Sequence, residues 1–531
     1  MNKKDVVPMK KSIYSRIKNI ISEVKYKEET PPVVDKKPKE PDSPQDAIST
    51  SLQDNLAKMA KLYENSNEYF VKHLNIQGTE IAVFILDGMV DKELLARAVL
   101  LPLTEQKNVE EPVYDWIIHS GINIVDFETT KKFSELSDKM QSGFTIILVD
   151  GKDIGITIGT QGYAKRPVGE TSSRNVVRGS QEGFSEVVFQ NIPLLRRRLK
   201  TPHFKTEMLS VGRTSHTKLC LCYLDDVVSE ELLKDVKKRL DRVDLDVVLD
   251  TAYLQPYLEK NPLSVFEDVG TTERPDVLAA ELSEGRIGLI LDGTPFALIV
   301  PHLFNENFQS MDDYTHKYFY STFIRILRYL SFFISTALPG LFVALGALQY
   351  QMLPLGLLLQ IMQAETQTPL PLLYEALGIY VAYEILREAG MNLPKTMGHA
   401  ISIVGALVIG QAAVEAGIVG APTVIVLSIT VISSFLTPDL FQTTTILRFA
   451  YIILGGTIGL YGVALLTLVV AINMTSINSF GIPYTSPISP FGLKEMRDVI
   501  FKAPERKVNS RTMHVQDLPG SELSKSTPQT K

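Results

Sequence analysis

Cysteine is nearly absent: the 531 residues hold two, Cys220 and Cys222, in the run KLCLCYL. Two thiols build no disulfide framework, which suits a reducing compartment. Spaced two apart in an alternating apolar stretch, they point to one face of a strand. A lone C-x-C without nearby His or further Cys is a poor metal site, and the eight His do not cluster at ligand spacing. No metal and no cofactor is therefore expected. A basic field is missing too: 54 Lys and Arg stand against 60 Asp and Glu, for a formal net charge of −6. That argues against a nucleic-acid binder. There is no G-x-x-x-x-G-K-[ST] loop, no G-x-G-x-x-G after a strand, no H-E-x-x-H and no G-x-S-x-G elbow. An enzyme is not expected. No secretory h-region opens the chain, so no cleaved signal is expected.

Charge is also missing from one long region. Residues 1–324 carry 90 Asp, Glu, Lys and Arg, whereas residues 325–475 carry 11 and residues 329–364 carry none. A single soluble globule does not divide charge this way. The asymmetry predicts a polar domain, a membrane-embedded domain and a short polar tail.

What is present begins with a helical stripe. Ile13, Ile17, Ile20, Ile21 and Val24 recur at helical spacing among Lys10, Lys11, Arg16, Lys18 and Lys25. This is either a basic amphipathic helix on an anionic membrane surface or a solvated, partly helical tail. Lys27 to Ser49, rich in Pro and charge, reads as a disordered linker.

A duplication follows. The strand IAVFIL (81–86) runs into Asp87-Gly88 and the helical DKELLARAVL; LCLCYL (219–224) runs into Asp225-Asp226 and SEELLKDVKKRL. FTIILVDGKDIGITI and RIGLILDGTPFALIV then place Asp150-Gly151 and Asp292-Gly293 between strand pairs. The first pair of aspartates is 138 residues apart and the second 142. Two features at nearly one offset predict two α/β subdomains of common ancestry, each a strand and helix followed by a hairpin with a D-G turn. Glycine supplies the positive φ of such turns. Between the copies, Phe184, Val187, Val188, Ile192, Leu195 and Leu199 predict an amphipathic helix that Pro193 kinks or divides. Arg196, Arg197 and Arg198 follow it, as a contact with acidic groups of a neighbouring subunit, as residues near lipid headgroups, or as a solvated basic helix end.

In the apolar region Leu330–Leu348 reads as the first span, Leu353–Met362 as a half-helix too short to cross, Leu370–Ile385 as a piece containing Glu375 and Glu384, residues 400–436 as two spans broken at Gly420-Ala421-Pro422, and Ile446–Met474 as the last. Basic flanks put both ends in the cytoplasm, so the number of crossings is even, four or six. Small residues at Gly405, Gly410, Ala413, Gly417, Gly455 and Gly459 allow close helix packing. Val404, Val408, Gln411 and Glu415 share one face of the helix ISIVGALVIGQAAVEAG. Repeated around a ring, that stripe makes a constriction, a polar zone and an acidic ring, the parts of a cation pore. The alternative places Glu415 near the helix end, snorkelling to the interface.

The stretches RGSQEGFSE…NIPLLRRRL, TTERPDVLAAELSEGRIGLILDGTPFALIVP, SIVGALVIGQAAVEAG and FGIPYTSPISPFG resemble the GerA family, the A subunits of bacterial spore germinant receptors, over roughly 70–490. One departure is Ser180-Gln181, where the family pattern carries Pro-Arg. The resemblance implies a subunit of the spore inner membrane that works with a transporter-like, nutrient-binding B subunit and a lipoprotein C subunit. It implies self-association into a ring, pentameric by that resemblance, that opens to monovalent cations in response to nutrient. Rival readings are a non-conducting scaffold that relays the signal, and an A-type paralogue that amplifies germination with the dipicolinate-release machinery. The expected fold is thus an α/β cytoplasmic region of two duplicated α/β subdomains plus an α-helical multi-span transmembrane domain. Its divisions are a basic segment and linker (1–50), subdomain 1 (51–175), linking helix and subdomain 2 (176–320), transmembrane helices (321–476) and a cytoplasmic polar tail (477–531).

Overall fold

A computed structural model of the chain describes residues 43–105, 111–162, 179–261, 263–392, 410–493, 495–504 and 513–524. The basic stripe at 13–24 and most of the 27–49 linker lie outside the described residues.

The α/β region holds two five-stranded antiparallel sheets built alike. The first copy runs α1 (Leu52–Leu62), β1 (Tyr69–Ile76), β2 (Thr79–Leu86), a helical run α2 made of Lys92–Leu95, a π-turn Ala96–Leu100 and Leu101–Glu105, then β3 (Phe127–Thr130), α3 (Phe133–Gln141), β4 (Thr145–Val149) and β5 (Gly155–Ile158). The second runs α4 (Val188–Arg196), β6 (Phe204–Val211), β7 (Thr217–Leu224), α5 (Glu230–Leu240), β8 (Gly270–Thr272), α6 (Pro275–Ser283), β9 (Ile287–Leu291) and β10 (Ala297–Val300). Strand orders are β1-β2-β4-β5-β3 and β6-β7-β9-β10-β8, the same permutation.

Side-chain alternation explains why the central strands read as unbroken apolar runs. On the first sheet Ile81, Val83, Ile147 and Val149 face α2, while Ala82, Phe84, Ile146 and Leu148 face α1 and α3. Both faces are covered, so both sets must be apolar. On the second sheet Cys220 and Cys222 point together into the cluster formed with α4 and α6, as buried free thiols.

The repeat extends to single hydrogen bonds. Asp150 Oδ1 accepts from Leu52 N and Asp292 Oδ1 accepts from Val188 N, both at 3.0 Å, so each D-G turn holds the first N–H of the opening helix of its copy. Asn55 donates to Ser49 O at 2.7 Å and Asn191 to Ser185 O at 2.6 Å. The helix expected as a linker is therefore the second copy's counterpart of α1, with Pro193 inside it rather than dividing it. The two copies interlock where Glu68 meets Arg196 and Thr206, and where Gly88 lets Pro193 approach its backbone: a Cβ there would lie 2.6 Å from the proline ring.

The helical region contains α7 (Tyr318–Ala347), α8 (Leu355–Glu365), α9 (Leu372–Asn392), a helical segment 410–415, α10 (Ala421–Ser434), α11 (Phe441–Ile458) and α12 (Leu460–Ser476). Among the described residues α7 is long and apolar enough to cross a membrane, with a mean hydropathy of 1.8; α10 passes only together with Pro438–Ile458, bent by 114°. Length and composition thus support one or two candidate spans. Helices α7 and α11 run side by side, with Gly340 and Gly455 so close that a Cβ on either would strike the other helix's backbone. The stretch expected as one last span, Ile446–Met474, is instead two helices. Gly459, at φ +73°, ends α11, and Gln349 Oε1 accepts the first N–H of α12 at 3.1 Å.

Replacing Asp150 or Asp292 with Ala is expected to cost about 1 kcal/mol in each case, the usual loss for a helix-start acceptor. Urea titration followed by circular dichroism checks this. A large loss in one copy and none in the other would contradict their equivalence.

Candidate functional site

Of the four stripe residues, Val404 and Val408 lie outside the described residues. Gln411 and Glu415 are described: Gln411 Nε2 donates to Glu415 Oε1 at 3.0 Å, and both side chains are exposed. Glu415 occupies the last helical residue of 410–415, and Gly417 turns the chain at φ +65° beside Gln367 O. It therefore sits at a helix end.

The three arginines are drawn into the chain itself, which corrects the expected outward contact for the first of them. Arg196 is 1% exposed; it pairs with Glu68 and donates to Thr201 O at 3.0 Å and Phe204 O at 2.9 Å. Arg197 and Arg198 share Glu182 at 2.6 and 2.7 Å. Those two arginines, after a contrary push from burial, hold the Glu182 carboxyl below its ordinary pKa.

The sequence reading names Glu375 and Glu384 without partners and passes over Arg448. Glu375 Oε1 accepts from Gly420 N at 2.8 Å, supplying the acceptor that the start of α10 lacks. Arg448, fully buried on α11, donates to Ser335 O of α7 at 2.9 Å and lies 3.5 Å from Glu384 of α9. Glu384 also accepts from Arg387 at 2.7 Å, and Arg387 stacks on Phe441. Each was visible as a lone charge in an apolar run, which is costly unless paired.

A second cluster joins the α/β region, α7 and the tail. Arg325 of α7 is fully buried; its Nε donates to Asp313 at 2.9 Å and its Nη1 to Asp498 at 2.8 Å. Arg328 also reaches Asp313, at 2.9 Å, and Lys502 Nζ donates to Asp313 O at 2.7 Å. Nearby, Ser264 donates to Asn473 at 3.0 Å and Thr443 donates to Val265 O, so a loop of the second copy rests on α11 and α12. In that loop burial raises Glu259 most, a 3.1 Å bond from Gln255 opposes it, and Asp268 and Glu267 add to the rise, so its pKa is pushed up to about 7. Asp268 is likewise raised by burial, and its Oδ2 has no partner. His302 pairs with Glu306 at 2.9 Å. Burial disfavours its charge, but the Glu306 carboxylate outweighs burial and lifts the imidazole above its ordinary value.

Spacing suggested no histidine cluster, yet folding brings His203, Asp225 and Asp226 together, with ligand atoms within 4.8 Å of one another. The group is exposed, and Lys205 already stands 3.3 Å from Asp225.

The model of the family described as Bacillus/Clostridium GerA spore germination protein matches residues 57–514. The chain belongs to the GerA family. It is 36% identical over 463 residues to spore germination protein KA of Bacillus subtilis, covering 86% of this chain and 85% of that protein. It is 35% identical over 465 residues to the uncharacterized membrane protein YfkQ of the same organism, covering 86% and 90%. A crystal structure of the N-terminal domain of the A subunit of the Bacillus megaterium spore germinant receptor GerK3 overlaps 49% of this chain and 97% of its own, at 26% identity and a TM-score of 0.39, too loose an overlap to argue from. Within the GerA pattern, the departure at Ser180 falls inside the arginine network: Arg198 donates to its Oγ and Arg274 to its carbonyl, both at 3.0 Å.

Arg325→Met is expected to destabilise by about 3 kcal/mol, because it strands Asp313 and Asp498 with fewer partners. Melting in detergent micelles reads the loss, and faster hydrogen exchange across 495–504 reads the loosened tail. Glu259 gives a pH test. A folded carboxyl titrating near 7 keeps a proton that the unfolded chain releases near its ordinary 4.5. Stability contributed by that group is full below about 4.5 and is lost as pH rises through 7. Glu259→Gln should therefore raise the melting temperature relative to wild type at pH 8 and leave it unchanged at pH 4.5.

Proposed function

We propose that this chain is the A subunit of a nutrient-responsive spore germinant receptor, and that copies of it form a ring, pentameric by resemblance, enclosing a cation channel in the spore inner membrane. In this reading the helical region is multi-pass, with four or six crossings, and both chain ends are cytoplasmic. A transporter-like B subunit binds the nutrient, and with a lipoprotein C subunit it biases the ring between closed and open states. Family membership supports the germination role. The observation that carries the channel is the exposed Gln411–Glu415 pair. Among the described residues Arg325, Arg328, Glu375, Glu384, Arg387 and Arg448 find internal partners, whereas this pair faces outward from a largely apolar region. An outward carboxylate beside lipid is costly, so it belongs against water or another copy. A ring supplies both. The two α/β copies and the tail are in direct contact, with Gln516 donating to Val227 O at 2.7 Å, which supports placing both on one side of the membrane.

Val404 and Val408 would form the hydrophobic gate, with Gln411 and Glu415 as the polar lining. Val408→Ala is expected to let spores leak K⁺ or germinate without nutrient. Glu415→Gln is expected to slow nutrient-triggered cation release severalfold at unchanged protein level. Potassium release from purified spores measures both. Two variants that behave as wild type would remove the pore assignment, and vesicles that never pass cations would favour the scaffold.

A further inference from the structure

The contact between the two α/β copies has an inserting side and a receiving side. The first copy inserts its segment 62–68 and its Asp87-Gly88 turn. The second receives them on the end of α4 and on β6, an edge strand of its sheet. Ser66 and Thr206 form a parallel bridge; Asn67 N donates to Thr206 O at 3.2 Å, and Thr206 N donates to Asn65 O at 3.0 Å. Lys205 Nζ donates to Leu62 O at 2.8 Å, Arg196 pairs with Glu68, and Pro193 meets Gly88.

Because the copies are built alike, each side exists twice. The matched bonds of Asp150 with Asp292 and of Asn55 with Asn191 align Ala57 with Pro193 and Ala60 with Arg196. The strand pairs Tyr69↔Leu86 and Phe204↔Leu224 align Phe70 with Lys205 and Val71 with Thr206. Asp87 N donates to Glu68 O at 2.7 Å and Asp225 N to His203 O at 3.0 Å, which aligns Glu68 with His203 and Gly88 with Asp226. The first copy therefore has an unused receiving side, and the second an unused inserting side. Exposure follows use. Lys205 and Arg196 are buried, at 4% and 1%, whereas Phe70 is 51% exposed and Ala60 is exposed. Glu68 is buried, whereas His203, Asp225 and Asp226 are exposed. β1 is an edge strand as β6 is, and among the described residues no backbone bond from another segment reaches Val71. An open strand edge is a template for another chain.

The two unused sides fit each other. A Cβ on Gly88 would lie 2.6 Å from Cγ and 3.5 Å from Cδ of Pro193, and 3.6 Å from Phe189 O. At the matching place Asp226 carries a Cβ, and Ala57 lacks both ring carbons. The larger residue on one side thus meets the smaller on the other. Charge agrees as well: Lys58 and Lys61 stand exposed beside Ala57 and Ala60, opposite the acidic Asp225-Asp226 turn. The tail does not take this place. Gln516 reaches Val227 O beside Gly285, where in the first copy Gly162 N reaches Met89 O beside Gly143. It therefore replaces the segment 160–162 rather than the helix that carries Pro193.

We propose that these two sides bind between chains, with residues 199–203 and Asp225-Asp226 of one copy docked on α1 and the β1 edge of the next. The two surfaces differ, so the contact is head-to-tail, the kind that makes a ring when its rotation closes. Like contacts between α/β copies alternate around such a ring, within a chain and between chains. The inference names a contact for the ring proposed above and rests on that reading.

The test uses the full chain in detergent micelles, with Cys220→Ala and Cys222→Ala removing the native thiols. Chains carrying Ala57→Cys and chains carrying Asp226→Cys are co-expressed, purified together and treated with a short bismaleimide. Linked dimer is expected to exceed that of either variant alone by roughly tenfold. It should exceed by as much a pairing of Asp226→Cys with Val125→Cys, since Val125 precedes β3 at the opposite edge of the first sheet. Links formed within each single variant but not between the two show a two-fold contact and overturn the proposal. Light scattering reads the mass separately. An oligomer without the 57–226 link overturns this contact and leaves the ring, whereas a monomer overturns both. With the native cysteines kept, Asp226→Lys should raise the concentration for half-assembly roughly tenfold, and adding Lys58→Glu and Lys61→Glu to the same chain should restore it. An unchanged value also overturns the contact. Circular dichroism of each variant verifies the fold.

Discussion

One buried guanidinium holds three parts of this protein together. Arg325 sits at the second turn of α7, fully buried, between Asp313 of the segment that leaves the second sheet and Asp498 of the tail. A charge buried so deeply is tolerable only while its partners stay in place. The ordering of the tail, the emergence of α7 and the end of the α/β region are therefore one coupled event. Arg328 and Lys502 add two more contacts to Asp313, so that carboxylate and its backbone carbonyl gather three cations from two segments. A displacement of the tail must be felt at the root of α7, and the reverse. That is the property a relay between a polar region and membrane helices needs.

The α/β region reaches rigidity differently. Its two copies are not symmetric mates but successive links. The opening helix of the second copy, α4, rests on the Asp87-Gly88 turn of the first, and the missing Cβ of Gly88 makes room for Pro193. The matching turn of the second copy is Asp225-Asp226, exposed and charged. There the tail packs close by instead of a helix, with Gln516 Nε2 donating to Val227 O at 2.7 Å.

Much of this was legible in the chain. The strands were legible because both faces of each sheet are covered, which produces short apolar runs, and the D-G turns were legible because Gly88, Gly151 and Gly293 carry the positive φ that the pattern demands. The break of the last apolar stretch was missed because Gly459 sat inside a motif that also means close packing. Gly455 does pack, against Gly340; Gly459 breaks. Composition gives no way to tell these two roles apart. The partner of Arg196 is not legible because spacing cannot see Glu68, which lies 128 residues away. Long-range carboxylate partners, like the meeting of His203 with Asp225, exist only once the sheet has formed.

The same contrast separates the candidate pore from the rest of the helical region. Glu375 has a backbone N–H, Glu384 has two arginines, and Arg448 has a carbonyl of α7. These charges find their partners inward, so they order the bundle. Among the described residues Gln411 and Glu415 bond only each other, at a helix end that is exposed. A carboxylate can accept several hydrogen bonds, and one amide leaves most of that capacity unused. The unmet demand falls on whatever lies beyond the chain, whether water or the same residues of another copy. Among the described residues Glu375, Glu384 and Arg448 thus have partners inside the bundle, while the outward carboxylate of Glu415 has one amide. In the proposed ring, that polar edge is where an aqueous path between copies would be least costly to open.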